Sequence, residues 1–276
     1  MPPADFTDPA LLDELTLLVS QAAGAIMRAR ADGPSVRMKS DSSPVTGADE
    51  AAEAIILDGL ARILPGLAVI SEEATSRSAP PQPPETFALV DPLDGTREFV
   101  AGRNEFTVNI ALIHAGRPVS GIVGAPALDL IWRGVTSAGA ERLRLASGAA
   151  LKSISEKTPI RTALHRDAPL RAMVSRSHLD PATETWLKRL PAAERMDCGS
   201  SIKFCRIAEG LADVYPRLGP TSEWDIAAGD AVLTAAGGAV LRLAGGPVLY
   251  GQDSRSLIVP AFVAWGDLAA ATRFDP

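Results

Sequence analysis

Two stretches near the start of the chain have the spacing of amphipathic helices. Apolar side chains recur every three or four residues from Leu11 to Ile26, directly after Asp8-Pro9, a pair that is typical of a helix N-cap and first turn. This pattern predicts a helix over about residues 9–31. A second helix is predicted over about residues 48–64, where Pro65-Gly66 ends it.

Short apolar runs bounded by Gly, Pro and polar residues predict strands in the rest of the first half. They cover residues 67–71, 87–90, 106–113, 119–123 and 129–135. Only short turns separate the last three runs, which indicates a sheet meander. Four prolines in the segment from Ala79 to Pro84 predict an exposed, extended loop.

The second half alternates between helical and strand patterns. Between residues 158 and 171 the periodicity is lost in a mixed-charge stretch with proline, which we interpret as the boundary between domains of residues 1–160 and 161–276. Alternating helices and strands beyond it are typical of an α/β arrangement. Helices are predicted over residues 181–190, 200–210 and 225–236, and strands over residues 172–174 and 211–215.

The composition is that of a globular protein. Of the 276 residues 46% are hydrophobic and 22% are charged, and the net charge of -6 gives no general attraction to nucleic-acid polymers. Cys198 and Cys205 do not form a CxxC pair, so reduced, structural thiols are expected. Neither a secretory signal nor an apolar run of roughly 18 residues is evident, which predicts a cytoplasmic protein without a transmembrane segment. Peripheral association with the inner face of the cell membrane and the oligomeric state stay open.

The clearest candidate for chemistry is the turn Asp91-Pro92-Leu93-Asp94-Gly95-Thr96, which follows an apolar run. Proline favours extended geometry at the residue before it, so Asp91 is expected to end a strand, and Gly95 permits a sharp turn. Two carboxylates at one strand end repel each other unless a cation lies between them, and their oxygens suit a hard cation such as Mg²⁺. A solvated acidic turn would contain the same residue types.

Two further acidic side chains lie at the ends of predicted elements. Glu72 comes directly after the strand of residues 67–71, and Asp225 begins a predicted helix. Each has an ordinary explanation, since Glu72 could be a surface acid and Asp225 could favour the positive end of a helix. Together with Asp91 and Asp94, however, they form a set of oxygen ligands that suits two or three Mg²⁺ ions and a phosphate.

Over nearly its full length the chain resembles the inositol monophosphatase superfamily of magnesium-dependent, lithium-sensitive phosphomonoesterases. The resemblance rests on Ser71-Glu72-Glu73, on the turn from Asp91 to Thr96, and on Trp224-Asp225-Ile226-Ala227-Ala228-Gly229. It implies an α/β (α+β) fold, the layered αβαβα sandwich of the inositol monophosphatase/fructose-1,6-bisphosphatase type. The N-terminal half would carry most metal ligands, and the C-terminal half would carry Asp225 and the substrate contacts.

The resemblance also implies roles for the acidic residues around the turn. The implied metal ligands are Glu72, Asp91, the backbone carbonyl of Leu93, Asp94 and Asp225. Gly95 and Thr96 would contact the transferred phosphate, and Asp94 and Asp225 are also counted among the substrate-binding residues. Asp91 would be shared between two ions, and Glu72 is also counted among the catalytic residues.

Asp49 is implied as a further catalytic residue. It ends the segment Pro44-Val45-Thr46-Gly47-Ala48-Asp49, which is similar to the family segment whose acid pairs with the turn threonine, here Thr96, to orient the attacking water. Thr46, three residues earlier, also resembles the start of a capping box with Asp in place of Glu. The two interpretations of Asp49 do not exclude each other.

Segments of the second half resemble the CysQ-type 3'(2'),5'-bisphosphate nucleotidases within this superfamily. They cover residues 175–178, 199–205, 208–210 and 215–217. This closer resemblance implies hydrolysis of adenosine 3',5'-bisphosphate to AMP and phosphate, in the setting of sulfate assimilation. The second phosphate of such a substrate needs cations or hydrogen-bond donors away from the metals. The implied nucleotide contacts are His178, Ser200, Lys203 and Arg217.

Two other functions stay open. An inositol or sugar monophosphatase would keep the metal motif without needing second-phosphate contacts from Lys203 and Arg217. A catalytically silent metal- or nucleotide-binding regulatory protein could keep the fold, although the intact acids argue against it. Taken singly, Lys203 could be a solvated helix residue, His178 a loop or cap histidine, and Arg217 a surface residue.

Overall fold

The computed structural model describes residues 6–33, 35–39, 44–78, 82–164, 169–190, 192–253 and 256–274. Within these ranges the α-helices are α1 (Pro9–Asp32), α2 (Gly47–Ile63), α3 (Glu72–Arg77), α4 (Thr96–Val100), α5 (Pro181–Leu187), α6 (Ile202–Ala208), α7 (Glu223–Ala235) and α8 (Leu268–Phe274). The strands are β1 (Val36–Met38), β2 (Pro44–Thr46), β3 (Ala68–Ser71), β4 (Thr86–Asp94), β5 (Thr107–His114), β6 (Arg117–Ala125), β7 (Leu130–Val135), β8 (Gly139–Arg144), β9 (Glu156–Ile160), β10 (Arg171–Ser175), β11 (Glu194–Cys198), β12 (Val214–Arg217), β13 (Ala239–Arg242) and β14 (Phe262–Trp265).

Two sheets carry most of the strands. The larger has seven strands in the order β3-β4-β5-β6-β7-β8-β9, in which β3 is parallel to β4 and the other pairs are antiparallel. The smaller has five strands in the order β11-β10-β12-β14-β13, with β10 parallel to both of its neighbours and β14 antiparallel to both of its own. The predicted meander is confirmed over β5, β6 and β7.

Three hydrophobic clusters arrange these elements in five layers. In the first cluster α1 and α2 cover one face of the larger sheet, with Ile56 fully buried. In the second, α6 and α7 lie between the two sheets, and Val232 of α7 is fully buried there. In the third, α5 and α8 cover the outer face of the smaller sheet, where Trp186 packs edge-on against Trp265. The order of layers is therefore αβαβα, and the predicted fold class is confirmed.

Helix α1 is long and apolar enough to span a membrane by length and composition alone. Its apolar side chains, however, are buried in the first cluster against α2 and β6. The helix lies so close to the sheet that a Cβ on Gly124 would be 2.5 Å from Val19 Cγ1. α1 thus has the position of a core helix. The length of its apolar stretch does not argue against a membrane span, so the expectation that the chain has no transmembrane segment is supported here by the packing of α1.

The structure differs from the predicted elements in several places. β4 continues through Asp94 instead of ending near Asp91, because the chain stays paired with β5 on both sides of a local irregularity. The strand predicted over residues 211–215 lies at Val214–Arg217. Several short strands were not predicted, since they lack an alternation of buried and exposed positions: all three residues of β1 are exposed, and β11 is largely exposed.

Parts of two other predictions lie outside the described residues. They are residues 79–81 of the proline-rich loop and residues 165–168 of the predicted domain boundary. The division into two domains stays a prediction, and the second hydrophobic cluster contains residues from both halves. Both cysteines are free and buried, as expected for structural thiols.

Gly121 allows α7 to lie directly on β6. A Cβ at this position would be 2.7 Å from Ala228 O and 2.7 Å from Ala231 Cβ, so the helix or the strand would have to move. We expect Gly121→Ala to lower the free energy of unfolding by roughly 1–3 kcal/mol through overpacking, as measured by urea unfolding. Gly47→Ala is the control, because its Cβ would be 3.8 Å from the nearest atom, Ser35 Oγ. Equal losses in the two variants would contradict this prediction.

Candidate active site

A bulge in β4 brings two aspartates to the same strand end. Pairing with β5 is regular up to Asp91 opposite Asn109 and resumes at Asp94 opposite Thr107, so β4 contains one extra residue between these pairs. Asp91 Oδ1 accepts a hydrogen bond from the backbone N–H of Leu93 at 3.0 Å, which closes the bulge. The local sequence therefore directs both carboxylates to one end of the sheet.

Gly95 turns the chain out of β4 and into α4. Its φ of 89° lies in the left-handed region that favours glycine. A Cβ at Gly95 would also be 3.0 Å from Glu105 O. Since α4 begins at the next residue, the predicted sharp turn after Asp94 is confirmed.

Asp225 reaches the same place from the second half of the chain. It is the third residue of α7, where its Oδ2 accepts hydrogen bonds from Ser222 N at 2.9 Å and Thr221 Oγ1 at 2.6 Å. One carboxylate oxygen from each of Asp91, Asp94 and Asp225 lies within 4.8 Å of the others. Asp225 therefore caps α7 and also belongs to the acidic cluster.

Burial dominates the electrostatics of this acidic cluster. Desolvation raises the pKa of Asp91 well above its ordinary value, and the negative charges of Glu72 and Asp94 raise it further. Desolvation, with a smaller contribution from Asp94, raises the pKa of Asp225 to about 6. Carboxylates held in this way are costly to ionise without a cation, and they offer only hard oxygen donors. The donor set therefore fits a divalent ion such as Mg²⁺.

Glu72 lines the same cavity and is paired with a lysine. Lys39 Nζ donates hydrogen bonds to Glu72 Oε1 at 2.7 Å and to Glu73 Oε1 at 2.6 Å. Burial raises the pKa of Glu72 to about 8, although Lys39 lowers it and Asp225 raises it in turn. Lys39 was not predicted, because its partners are 33 and 34 residues away and no local pattern marks it.

Asp49 makes both of the contacts that its sequence context suggested. Its Oδ2 accepts hydrogen bonds from Thr46 N at 2.8 Å and Thr46 Oγ1 at 2.7 Å, which completes a capping box at the start of α2. Its Oδ1 lies 3.1 Å from Thr96 Oγ1, which is also 3.1 Å from Leu93 O. The structure thus places Asp49 beside Thr96, and the role of this pair in orienting water stays a prediction.

Ser201 is a residue of the site that the sequence reasoning missed. Its backbone N–H donates to Asp94 Oδ2 at 2.6 Å, and its Oγ lies 3.0 Å from the same oxygen and 2.6 Å from Asp225 O. Asn109 Nδ2 donates to Ser201 Oγ at 2.9 Å. The signal was available, since Ser201 follows Ser200 in a segment used for the subfamily resemblance, but only the tertiary contacts reveal which serine holds the carboxylate.

The acidic cluster, Glu72 and Thr96 line one cavity of about 350 Å³, to which both halves of the chain contribute. The acidic cluster lies on one side. The residues predicted to contact a nucleotide also line this cavity: His178, Ser200, Lys203 and Arg217.

Lys203 and Arg217 are buried rather than solvated, with exposed fractions of 5% and 9%. Lys203 Nζ donates to Ser200 O at 2.5 Å. Arg217 donates to the carbonyl oxygens of His178 at 2.9 Å and Pro220 at 2.7 Å. Both cations therefore stabilise the backbone of the cavity wall, and their contact with a nucleotide stays a prediction.

Comparison with known proteins identifies the family. Residues 10–273 match the model of the inositol monophosphatase family. The chain belongs to the inositol monophosphatase family. Among curated family members, it is 41% identical to the 3'(2'),5'-bisphosphate nucleotidase CysQ of Escherichia coli (strain K12) over 230 residues, which are 82% of this chain and 87% of that protein. CysQ of Haemophilus influenzae is 30% identical over 259 residues, which are 93% of each chain.

Solved structures of family members agree with this result. The crystal structure of CysQ from Bacteroides thetaiotaomicron superposes with a TM-score of 0.78 at 34% identity, covering 95% of this chain and 98% of that one. The IMPase of Thermotoga maritima gives a TM-score of 0.72 at 21% identity, covering 94% and 93% of the two chains, and supports the fold alone. The predicted resemblance to the family and to CysQ is confirmed, and the metal dependence of the family agrees with the acidic cluster.

The raised pKa values in the cluster make metal binding pH-dependent. At pH 5 Asp225, with a pKa of about 6, is mostly protonated and must lose its proton to bind a cation, whereas at pH 8 it is ionised. We expect the rise in Tm that Mg²⁺ causes, measured by differential scanning fluorimetry, to be larger at pH 8 than at pH 5.

In the metal-free protein Asp225 lowers the free energy of unfolding as the pH rises from 3.8 to about 6, because its carboxyl group holds the proton more tightly in the folded state than in the unfolded state.

A matched pair of variants tests whether Mg²⁺ binds to the acidic cluster and not to buried acids in general. Asp225→Asn should remove most of the Mg²⁺-induced rise in Tm. Asp230→Asn should leave it unchanged, since Asp230 also has a pKa raised by burial to about 6 but is bonded to Tyr250 Oη at 2.8 Å and does not line the cavity. A rise of equal size at pH 5 and pH 8, or equal losses in the two variants, would contradict metal binding by the cluster.

Proposed function

We propose that the protein is a magnesium-dependent 3'(2'),5'-bisphosphate nucleotidase that hydrolyses adenosine 3',5'-bisphosphate to AMP and phosphate. The observation that carries the proposal is one cavity that joins the acidic cluster to a wall containing Lys203 and Arg217. A metal-binding cluster suits the phosphate that reacts, and positive charge elsewhere in the cavity suits a second anionic group. The similarity to proteins named CysQ supports the same substrate class.

We infer that two or three Mg²⁺ ions are held at the end of β4. Glu72, Asp91 and the backbone carbonyl of Leu93 would hold one ion, and Asp91, Asp94 and Asp225 would hold a second. When bound, Mg²⁺ would neutralise phosphate oxygens and lower the pKa of the attacking water. To bind the metal, Glu72 would have to give up its ion pair with Lys39. Lys39 would keep its second partner, Glu73.

Asp49 and Thr96 would orient the water. Thr96 has one hydroxyl proton, so donation to Asp49 Oδ1 at 3.1 Å leaves its oxygen lone pairs free to accept a hydrogen bond from water. The backbone at Gly95 and Thr96 would contact the phosphate. The water oxygen would bond to phosphorus and release one proton to solvent, while the bond from phosphorus to the 3' oxygen breaks and that oxygen takes up one proton from solvent. No covalent enzyme intermediate is required.

The opposite wall would hold the rest of the nucleotide. We propose that His178, Ser200, Lys203 and Arg217 contact it, with Lys203 and Arg217 also keeping the wall in shape through their backbone hydrogen bonds. The sulfate-assimilation setting, the cytoplasmic location and any peripheral membrane association stay predictions from the sequence.

An inositol or sugar monophosphatase is the second candidate. The observation that favours it is that Lys203 and Arg217 donate to backbone carbonyls, so fewer of their donors are available to a second phosphate. A catalytically silent binding protein is less well supported, because the carboxylates and the Asp49–Thr96 pair are all in place.

Substrate preference tests the proposal directly. We expect Mg²⁺-dependent phosphate release from adenosine 3',5'-bisphosphate to have a higher kcat/KM than release from inositol 1-phosphate or fructose 1,6-bisphosphate. A higher kcat/KM for inositol 1-phosphate would favour the monophosphatase function and overturn the assignment.

Asp94→Asn tests the metal-dependent mechanism. Replacing the carboxylate removes a charged metal ligand while keeping the acceptor for Ser201, so we expect turnover to fall by roughly 100-fold or more with the fold intact. Phosphate release measures turnover, and circular dichroism measures folding. Asp58→Asn, at an exposed position paired with Arg62 on α2, should retain full activity. Unchanged turnover in Asp94→Asn would show that this carboxylate takes no part in the reaction.

A further inference from the structure

Arg97 is a cation of the active-site cavity that has no partner within the described part of the chain. It is the second residue of α4, directly after Thr96, and its side chain is exposed where it lines the cavity. Across the described ranges its guanidinium forms neither a hydrogen bond nor an ion pair. An unpaired guanidinium offers its full set of donors to a ligand.

The other cationic side chains that line the cavity are engaged. Arg176 donates from Nε and Nη2 to the two carboxylate oxygens of Glu105, both at 2.9 Å. Lys203 and Arg217 donate to backbone carbonyls and are buried. A second anionic group that enters the cavity would compete with existing contacts at these three residues, but not at Arg97.

A contact of the next residue holds the helix that carries Arg97. Glu98, the next residue, is buried and accepts a hydrogen bond from Ser177 Oγ, which ties α4 to the loop that carries His178. The pKa of His178 lies below its ordinary value because of desolvation and because of the positive charges of Arg217 and Arg97. Arg97 and His178 therefore line the same cavity, near enough for the charge of Arg97 to act on the imidazole.

We propose that the Arg97 guanidinium, together with the wall that contains Lys203 and Arg217, binds the phosphate of the substrate that is not hydrolysed and so contributes to the preference for a bisphosphate over a monophosphate. This inference rests on the proposed function and assigns a substrate contact to a residue outside the predicted set. A guanidinium can bind a phosphate through two parallel hydrogen bonds. Because Arg97 has no ion pair within the described chain, binding at this position breaks no existing salt bridge.

Two substrates that differ by one phosphate test the inference. Adenosine 3',5'-bisphosphate carries the second phosphate, and adenosine 3'-monophosphate lacks it. For Arg97→Gln we expect kcat/KM to fall by roughly 10- to 100-fold on the bisphosphate, mainly through KM, and by less than about twofold on the monophosphate. Arg97→Lys keeps the charge without the fork of donors and should recover part of the loss.

Arg103→Gln is the matched control. Arg103 is also exposed and follows the same short helix, but it lines a different cavity, together with Met173 and Met196. This variant should behave like the parent protein on both substrates. Equal losses on both substrates in Arg97→Gln, or no loss on either, would overturn the role of Arg97 while leaving the nucleotidase assignment in place.

A binding measurement gives a readout that does not depend on turnover. In metal-free protein the acidic cluster offers no cation to a phosphate, so AMP should place its 5'-phosphate at Arg97. Calorimetry should show that AMP binds to the parent protein more tightly than adenosine does. In Arg97→Gln the ratio of the adenosine Kd to the AMP Kd should fall by roughly 10-fold or more. An unreduced difference would overturn the proposal. A parent protein that shows no preference for the bisphosphate over the monophosphate would overturn both the Arg97 proposal and the nucleotidase assignment.

Discussion

Mutual repulsion among three partly or fully buried carboxylates is the constraint on which the active site depends. Asp91, Asp94 and Asp225 lie close enough to share a cation, and burial raises the pKa values of Asp91 and Asp225. Their positions are held by donors from the protein itself: the Leu93 N–H on Asp91, Ser201 on Asp94, and the first turn of α7 on Asp225. These donors orient the oxygens before any ligand binds, which is the arrangement that electrostatic catalysis requires.

The layered core keeps this repulsive cluster together. α7 carries Asp225 and is packed between the two sheets, while Asp91 and Asp94 end a strand of the larger sheet. Close approach of α7 to β6 at Gly121 brings the helix near that sheet. Ser201 contacts both Asp94 and the backbone of Asp225. This buried residue of the second half therefore links β4 and α7, the two elements that carry the carboxylates. The hydrophobic energy of the core thus offsets the cost of the acidic cluster.

Cations around the cavity differ in what they stabilise. Lys39 pairs with Glu72 and Glu73, whereas Lys203 and Arg217 donate to backbone carbonyls of the wall. Arg97 alone among the lining cations of the described chain is exposed and unpaired. The difference follows from burial, since a charge inside the protein needs a partner from the protein, whereas an exposed guanidinium is stabilised by water until a ligand replaces it.

Local patterns in the sequence determined the long helices, the central strands, the sharp turn at Gly95 and the capping box at Asp49. They also pointed to the acids of the cluster, because residue type and element ends are local properties. Only the tertiary structure decided that Glu72 is paired with Lys39, that Ser201 rather than its neighbour holds Asp94, and that Arg97 has no partner among the residues that the structure describes. These contacts join residues from separate elements, so they depend on how the layers pack, and short-range periodicity carries no information about that packing.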